Sequence, residues 1–403
     1  MSSRRVIPLV SEPPLPENTA IELTAPPPLS LYVHFPWCVR KCPYCDFNSH
    51  AVRDGGIPEA AYIDALIADL EAALPQIWGR RIHTVFIGGG TPSLISPEGL
   101  DRLLAAVRSL TLLAPAAEIT LEANPGTVEA ARFKGFREAG VTRVSLGIQS
   151  FNDEHLKVLG RIHDAAEARV AVDQAMTHFE LVNLDLMYAL PGQSLDQARA
   201  DLETALGSGA THLSCYHLTL EPNTPFHAAP PALPDDDLSA DMQDMIEARL
   251  AETGFTHYET SAFARPGKAC RHNLNYWHFG DYLGIGAGAH GKLSSHAGIV
   301  REMRHKHPAA YLAGAQRGDF VQERRSVSVR DLPFEFMMNA LRLTDGFPLA
   351  QFGAHTGLPL AVVQPRLIEA RKAGFVEIDE ERVVPTAHGR RFLNELLQGF
   401  LPD

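Results

Sequence analysis

Three cysteines in one short segment have the spacing of metal ligands. Cys38, Cys42 and Cys45 form a Cys-x3-Cys-x2-Cys array within the segment HFPWCVRKCPYCDFNSH. Thiolates this close in sequence can converge on one iron–sulfur cluster and leave one iron without a protein ligand. An iron with an open position can bind a cofactor or substrate group as a Lewis acid, whereas a fully ligated cluster mainly transfers electrons. The array therefore predicts a [4Fe-4S] centre that binds a further group.

Zinc is the alternative metal for the same cysteines. Zinc also takes closely spaced thiolates, and His34 or His50 is near enough in sequence to be a fourth ligand. Zinc motifs usually supply two separated ligand pairs, whereas these ligands form one group after a strand. We therefore favour the cluster. Cys215 and Cys270 lie far away in sequence and are interpreted as small buried apolar residues.

The elements that position the cysteines follow a repeating pattern. Short β-rich apolar runs alternate with amphipathic segments such as EAAYIDALIADLEAAL, which indicates βα units around a parallel sheet. The predicted strands are LSLYVHF, HTVFIGGG, EITLEANP, RVSLGIQS, LVNLDLMYAL, HLSCYHL and THYETSAF. Six or seven units predict an α/β fold with a partial (β/α)6-type, TIM-like barrel.

Polar residues fall where the predicted strands end. The cysteine loop follows the first strand, residues 88–92 the second, Glu122 and Asn124 the third and Gln149 the fourth, while Asp185 lies within the fifth. Parallel barrels carry their chemistry at the carboxyl ends of the strands. We therefore expect these residues to meet at one end of the barrel.

The pattern changes after the predicted barrel. The block CRHNLNYWHFGDYLGIGAGAHGK has no clear helix or strand period and is interpreted as a functional loop. The last segment has the helix and strand order of a mainly helical, winged-helix-like domain, with helices around DLPFEFMMNALRL, LAVVQPRLIEARKAG and TAHGRRFLNELLQGF and the strand pair FVEID and RVVPT. We divide the chain into a flexible proline-rich arm (1–28), the barrel (29–264), a loop and connector (265–325) and the C-terminal domain (326–403).

Composition limits the classes of function. The chain of 403 residues carries a formal net charge of −12, which argues against nonspecific nucleic-acid binding. Five cysteines, three of them crowded together, fit metal ligation in the reducing cytoplasm better than disulfide pairing. Prolines interrupt every apolar run of the N-terminal arm, so we expect neither a signal peptide nor a transmembrane segment.

The cysteine spacing, with Tyr44 before the last cysteine, resembles the signature of the radical S-adenosylmethionine (SAM) superfamily. The surroundings YVHFPWCVRKCPYCDFNSH, GGGTPS, LEANP, GIQSF and HNLNYW are similar to the oxygen-independent coproporphyrinogen III oxidase family. This resemblance implies a radical SAM barrel, one [4Fe-4S] cluster and bound SAM, with reductive cleavage of SAM left open. The positions that it implies for SAM binding are Tyr32, Tyr44, Gly89, Gly90, Thr91, Glu122, Gln149, Arg161 and Asp185, of which Gly90, Thr91, Gln149, Arg161 and Asp185 match a second SAM pocket of the oxidases.

Two features distinguish this chain from the oxidases. Those enzymes carry another cysteine two positions after the third ligand, and this chain has Phe47 there. The text CDFNSH and the segment HNLNYW resemble instead the heme-trafficking HemW group, whose HNxxYW motif binds heme. The resemblance implies that His272, Asn273, Tyr276 and Trp277 contact heme b.

The function that we favour from the sequence is a heme chaperone that passes heme to apo-hemoproteins. The alternative is oxidative decarboxylation of coproporphyrinogen III, an enzymatic activity that the chain is expected to lack. The resemblance is also compatible with a homodimer and with a peripheral contact to a membrane. An iron–sulfur transcription factor is disfavoured, because a DNA-recognition helix is normally richer in arginine and lysine.

Replacing Cys42 by Ala tests the metal. A [4Fe-4S] cluster held by three thiolates should be lost with one of them, so we expect the broad visible absorption and the iron content of anaerobic Cys42→Ala protein to fall to background. Cys215→Ala is the matched control and should keep both. Stoichiometric zinc in place of iron would contradict the cluster assignment.

Overall fold

A twelve-stranded mixed sheet forms the centre of the protein in a computed structural model, which describes residues 21–53, 55–126 and 131–402. The strands in chain order are β1 (Leu29–Phe35), β2 (Trp37–Cys38), β3 (His50–Ala51), β4 (Arg81–Gly89), β5 (Leu112–Ala123), β6 (Arg143–Gln149), β7 (Leu181–Tyr188), β8 (His212–His217), β9 (Thr256–Glu259), β10 (Ala262–Ala264), β11 (Asp281–Ile285), β12 (His290–Ser295), β13 (Gly298–Arg304), β14 (Val321–Ser326), β15 (Phe347–Pro348), β16 (Val376–Ile378) and β17 (Arg382–Pro385). The sheet order is β14-β13-β12-β11-β1-β4-β5-β6-β7-β8-β10-β9.

Helices connect the strands. Those described are α1 (Glu59–Ala73), α2 (Pro97–Leu110), α3 (Phe133–Ala139), α4 (Asp153–Val158), α5 (Ala165–His178), α6 (Leu195–Gly207), α7 (Pro225–Ala228), α8 (Asp236–Glu252), α9 (Arg271–Trp277), α10 (Pro308–Ala315), α11 (Leu332–Ala340), α12 (Leu349–Thr356), α13 (Gln364–Lys372), α14 (Ala387–Arg391) and α15 (Leu393–Gln398), with 3-10 turns at Leu74–Ile77, Pro92–Leu94 and Leu360–Val362. Local sequence sets several of their starts. Asp164 and Glu167 form a capping box at α5, and Ser194 and Gln197 form another at α6.

Seven strands from β11 to β8 run parallel and form the barrel wall. Strand β1 is buried along nearly its whole length, as expected for a parallel strand covered on both faces. Leu31, Val33 and Val85 are fully buried in the main hydrophobic core, which the connecting helices complete. The two ends of the sheet do not pair with each other, so the barrel is open. The predicted partial barrel is confirmed.

The mainly helical C-terminal domain is also confirmed. Its three strands pair in the order β15-β17-β16, and its helices surround a second hydrophobic cluster that includes Phe336, Phe352 and Leu367. The sequence pattern missed α12 and β15. The single last helix that we predicted is wrong, because the backbone leaves the helical path at Phe392 and separates α14 from α15.

The block that we interpreted as a loop folds instead into α9, β11 and β12, and the loop prediction is wrong there. Asn275 stabilises this region, since its side-chain amide donates to Ser30 Oγ at 2.8 Å and to the carbonyl of Asp281 at 3.0 Å. Strand β11 then becomes the seventh parallel strand, beside β1. The predicted strand THYETSAF is also wrong as a single strand, because it forms the antiparallel pair β9 and β10 at the sheet edge.

Most of the predicted flexible arm, residues 1–20, lies outside the described residues. Its last part is held against the protein. The Glu22 N–H donates to the carbonyl of Gly357 at 3.1 Å, and the carbonyl of Pro28 accepts from the Asp281 N–H at 2.9 Å. In the part of the chain that the structure describes, no helix has the length and apolar character needed to cross a membrane.

Candidate functional site

The cysteine loop leaves the carboxyl end of β1, where the sequence places it. Strand β2 carries Cys38 and pairs in parallel with β3, which closes the loop on itself. Cys42 and Cys45 lie between these two strands, and the Cys45 N–H donates to the carbonyl of Cys42 at 3.2 Å. The three thiols are partly buried and form no disulfide. The loop therefore presents three unpaired thiols at the end of the barrel.

Hydrogen-bond donors surround the thiols. Burial raises the pKa of Cys38, and nearby hydroxyls of Thr91 and Ser49 act in the opposite direction. Burial also raises the pKa of Cys45, against which the Phe47 backbone and Ser49 act. Ser49 Oγ is buried and forms no hydrogen bond with a described residue, so its hydroxyl is free to donate to a cluster thiolate. Donors aimed at sulfur are what cluster thiolates require in a partly buried site.

His34, one of the two histidines that could serve as a fourth zinc ligand, is not available to a metal. His34 uses both ring nitrogens, since Nε2 lies 2.9 Å from the carbonyl of Asn48 and Nδ1 lies 2.9 Å from Tyr32 Oη. The carbonyl can only accept, so Nε2 carries the proton and Nδ1 accepts from the tyrosine. Within the described ranges, no three His, Cys, Asp or Glu side chains form a group able to hold a single metal ion.

A cavity of about 160 Å³ lies over the three thiols and brings together most of the residues expected to bind SAM. Those that line it are Tyr44, Gly89, Gly90, Thr91, Glu122, Gln149, Arg161 and Asp185. We call it the cysteine cavity. Tyr32 is the exception, because it lines a neighbouring cavity instead.

Glycines after β4 allow a close backbone approach. Gly89 has a φ of +117°, and a Cβ there would come within 2.5 Å of the His34 ring. A Cβ on Gly90 would come within 2.5 Å of the carbonyl oxygen of Trp37. Glycine is required at both positions, because β4 must end directly against β1 and the cysteine loop.

Two acidic residues line the floor of the cysteine cavity. Glu122 Oε2 accepts the Gly89 N–H at 3.0 Å. Burial, and then the nearby charge of Asp185, raise the pKa of Glu122 to about 8. Asp185 accepts from Asn183 at 2.8 Å and from Ser145 at 3.1 Å, and burial raises its pKa as well. The floor offers oxygen atoms that can accept hydrogen bonds from ligand hydroxyl or amino groups.

Arg161 connects the cysteine loop to the strand ends. Its guanidinium donates to Asn124 Oδ1 and to the carbonyl of Gly147, each at 2.7 Å, and lies 3.6 Å from Cys42 Sγ and 3.5 Å from Tyr44 Oη. Gln149 lies nearby with a φ of +70°, an unusual backbone conformation for a residue other than glycine. Strained backbone of this kind is concentrated at ligand sites.

A second cavity of about 480 Å³ adjoins the first and contains all four residues expected to contact heme. We call it the histidine cavity. It is lined by Tyr32, His34, Phe47, Asn48, Phe86, Gly89, Glu122, His272, Asn273, Tyr276, Trp277, Tyr282, Gly288 and His290. Phe47, Gly89 and Glu122 line both cavities and form the wall between them.

His272 is held firmly at one side of the histidine cavity. Its Nδ1 lies 2.9 Å from Thr84 Oγ1, which donates to Ser30 Oγ at 2.7 Å. Thr84 therefore accepts from Nδ1–H, and Nε2 is left with a free lone pair. The ring packs on Phe86 with centroids 5.0 Å apart. Burial lowers the pKa of His272 to about 3, which keeps the imidazole neutral.

Aromatic side chains of α9 extend the same wall. The Tyr276 ring lies 5.0 Å from the rings of both Trp277 and Tyr282. Trp277 also packs against the Arg342 guanidinium of the C-terminal domain, 4.4 Å from the ring centroid. Its indole N–H is buried and has no partner among the described residues. The wall therefore offers apolar aromatic surface to a large aromatic ligand.

Sequence reasoning missed several residues of the histidine cavity. Asn48 holds the cysteine loop, since its amide donates to the carbonyls of Ala287 and Lys306 at 3.0 and 2.9 Å. Gly288, which packs on Asn48, and His290 also line the cavity. The glycine-rich segment GIGAGAHGK is the sequence feature that could have identified Gly288 and His290. So many glycines indicate a backbone that needs unusual φ angles or close contacts.

Comparison with known proteins supports two family assignments within the chain. Residues 32–205 match the model of the radical SAM superfamily, and residues 327–392 match that of the HemN C-terminal domain. The heme chaperone HemW of Escherichia coli strain K12 is 48% identical over 379 residues, which cover 94% of this chain and 99% of the relative. The heme chaperone HemW of Bacillus subtilis strain 168 is 32% identical, with 93% and 99% covered.

The chain belongs to the HemW family. Its fold also matches the solved structure of the E. coli coproporphyrinogen III oxidase HemN, with a TM-score of 0.78, 23% identity and coverage of 93% of this chain and 90% of that one. This likeness concerns the fold alone. Membership of the HemW family confirms the resemblance found in the sequence, and the radical SAM superfamily implies a [4Fe-4S] cluster and SAM.

Replacing Gly89 by Ala tests the close approach at the cysteine cavity. The added Cβ has no room beside His34, so the end of β4 must move, and we expect the affinity for SAM to fall about tenfold or more, roughly 1.4 kcal/mol. Isothermal titration of anaerobic, cluster-containing protein measures this. Gly318→Ala is the matched control, because Gly318 has a φ of +70° with no neighbour within 4 Å of an added Cβ. Equal affinities of both variants would contradict the assignment.

Proposed function

We propose that this protein binds heme b in the histidine cavity and delivers it to apo-hemoproteins, with a [4Fe-4S] cluster and SAM in the cysteine cavity. The observation that carries the proposal is that His272, Asn273, Tyr276 and Trp277 all line one cavity next to the cysteine loop. Its volume of about 480 Å³ lies within the usual range of small-molecule pockets, roughly 300–1,000 Å³.

His272 is the proposed iron ligand. A ligating histidine must be neutral, and it normally donates its second ring N–H to a neighbouring acceptor that orients the ring. His272 meets both conditions, because its pKa is low and Thr84 accepts from its Nδ1. Tyr276 and Trp277 would then pack against the macrocycle. Asn273 provides a polar group at the same wall.

Cys38, Cys42 and Cys45 are the proposed cluster ligands, and the glycine run with Glu122 is the proposed support for SAM. When bound there, SAM and the cluster supply one-electron chemistry. The residues of this chain position the ligands and limit water. Gly89 offers backbone at close range, Glu122 accepts hydrogen bonds, and Tyr44 and Arg161 cover Cys42.

Phe47 favours the chaperone over porphyrinogen oxidation. Its side chain is 59% exposed and lies in the wall shared by the two cavities. A cysteine there would add a thiol next to the proposed SAM site, whereas phenylalanine presents only an apolar surface to a ligand.

We further propose that the protein acts in the cytoplasm, with apo-hemoproteins as partners and with homodimer formation and peripheral membrane contact as features to be measured.

Replacing His272 by Ala tests the heme site. Loss of the iron ligand should weaken heme binding at least about tenfold, roughly 1.4 kcal/mol, and shift the Soret band of the complex. Optical titration of anaerobic protein measures both. The exposed His296, in the turn between β12 and β13, provides the control His296→Ala, which should bind like the unmodified protein. Unchanged affinity and spectrum of His272→Ala would exclude His272 as a ligand.

A turnover assay separates the chaperone from the oxidase. Anaerobic protein with its cluster, SAM, a low-potential reductant and coproporphyrinogen III is expected to form no protoporphyrinogen IX above the background without protein. Transfer of heme from the loaded protein to an apo-hemoprotein should proceed in a parallel sample. Clear protoporphyrinogen formation would contradict the proposal.

A further inference from the structure

Three histidines line the histidine cavity, and they differ in which ring nitrogens remain free to bind a metal. Both nitrogens of His34 are hydrogen-bonded, so it cannot ligate iron without losing those bonds. His272 keeps Nε2 free. The ring of His290 forms no hydrogen bond with any described residue, and its side chain is exposed to the cavity. The cavity therefore offers two available imidazoles rather than one.

These two imidazoles are held by different elements of the fold. His272 packs against β4 through Thr84 and Phe86. His290 begins β12, which is separated from β4 by β11 and β1. Three strand spacings of about 4.8 Å place β12 on the order of 14 Å from β4 across the sheet. Two ligands that approach a flat macrocycle from its two faces must be supported by separate elements, and His272 and His290 meet this condition.

The backbone of His290 is fixed although its side chain is exposed. A Cβ on Gly284 would come within 2.0 Å of the His290 carbonyl oxygen, so β11 and β12 are in close backbone contact there. Strand β12 also pairs His290 with Met303 of β13. The backbone therefore fixes where His290 enters the cavity, while its imidazole keeps both ring nitrogens available to a ligand.

We infer that His290 is the second axial ligand of the heme iron that His272 binds. This inference rests on the proposed function and deepens it. Two imidazoles saturate the iron and shield it from other small ligands. His272 is buried and oriented by Thr84, whereas His290 is exposed and lacks an orienting partner. His290 is therefore the ligand that a donor atom of the recipient apo-hemoprotein would replace, a simple exchange of one iron–nitrogen bond without oxidation or reduction.

The ferric heme complex of the full anaerobic protein tests the inference. Optical and electron paramagnetic resonance spectra of the unmodified protein should show six-coordinate, low-spin iron. In His290→Ala the complex should become mainly high-spin, and added imidazole should restore the low-spin spectrum, because a free imidazole fills the vacated position. His296→Ala is the matched control and should remain low-spin. Cluster absorption, measured before heme is added, verifies that each variant is folded.

The outcomes separate this inference from the proposed function. If the unmodified protein binds heme and His290→Ala keeps the low-spin spectrum, the inference fails while the heme site at His272 stands. A high-spin complex in the unmodified protein leads to the same conclusion. Loss of low-spin heme from His290→Ala that imidazole does not restore also counts against a ligand role. Failure of the unmodified, cluster-containing protein to bind heme at all would overturn both.

Discussion

The site depends on the pairing of β1 with two parallel neighbours. Hydrogen bonds join β1 to β4 on one side and to β11 on the other, so all three strands end at the same edge of the sheet. The chain after β1 carries the thiols, the chain after β4 carries the glycine run, and the chain after β11 leads to His290. Parallel pairing thus brings together segments that are separated by up to about 250 positions in the sequence.

Close packing at these strand ends has a chemical consequence. Gly89 approaches the His34 ring, and Gly286 approaches the carbonyl of the same histidine, so the backbone is crowded beside the two cavities. Phe47, Gly89 and Glu122 separate those cavities by a single layer of residues. A group bound over the thiols would therefore lie next to a group bound at His272. In our account this adjacency links the radical SAM scaffold to heme binding.

Local patterns predicted part of this structure well. The cysteine spacing and the strand ends could be recognised in short stretches of sequence. The cysteine cavity also contains the residues that the family resemblance implies for SAM, apart from Tyr32. Tyr32 lines the neighbouring cavity, and its hydroxyl is hydrogen-bonded to His34. Which of the two cavities it lines depends on the side of the strand end at which each cavity lies.

Other features could not be predicted from short stretches of sequence. Helix α9 has only seven residues and is rich in poor helix formers, and Asn275 anchors it to Ser30 and the Asp281 carbonyl. Strand β11 contains Gly284 and is stabilised by β1, about 250 positions away. His290 becomes a cavity residue only because β12 follows β11 at that side of the sheet. Tertiary contacts, rather than propensity, decide these elements.

The most direct test of the account is an experimental structure of the anaerobic, cluster-containing protein with heme and SAM. We expect the macrocycle in the histidine cavity, with its iron at Nε2 of His272, and SAM over the three thiols on the other side of Phe47 and Glu122. Heme bound at another surface, with the histidine cavity empty, would contradict the account.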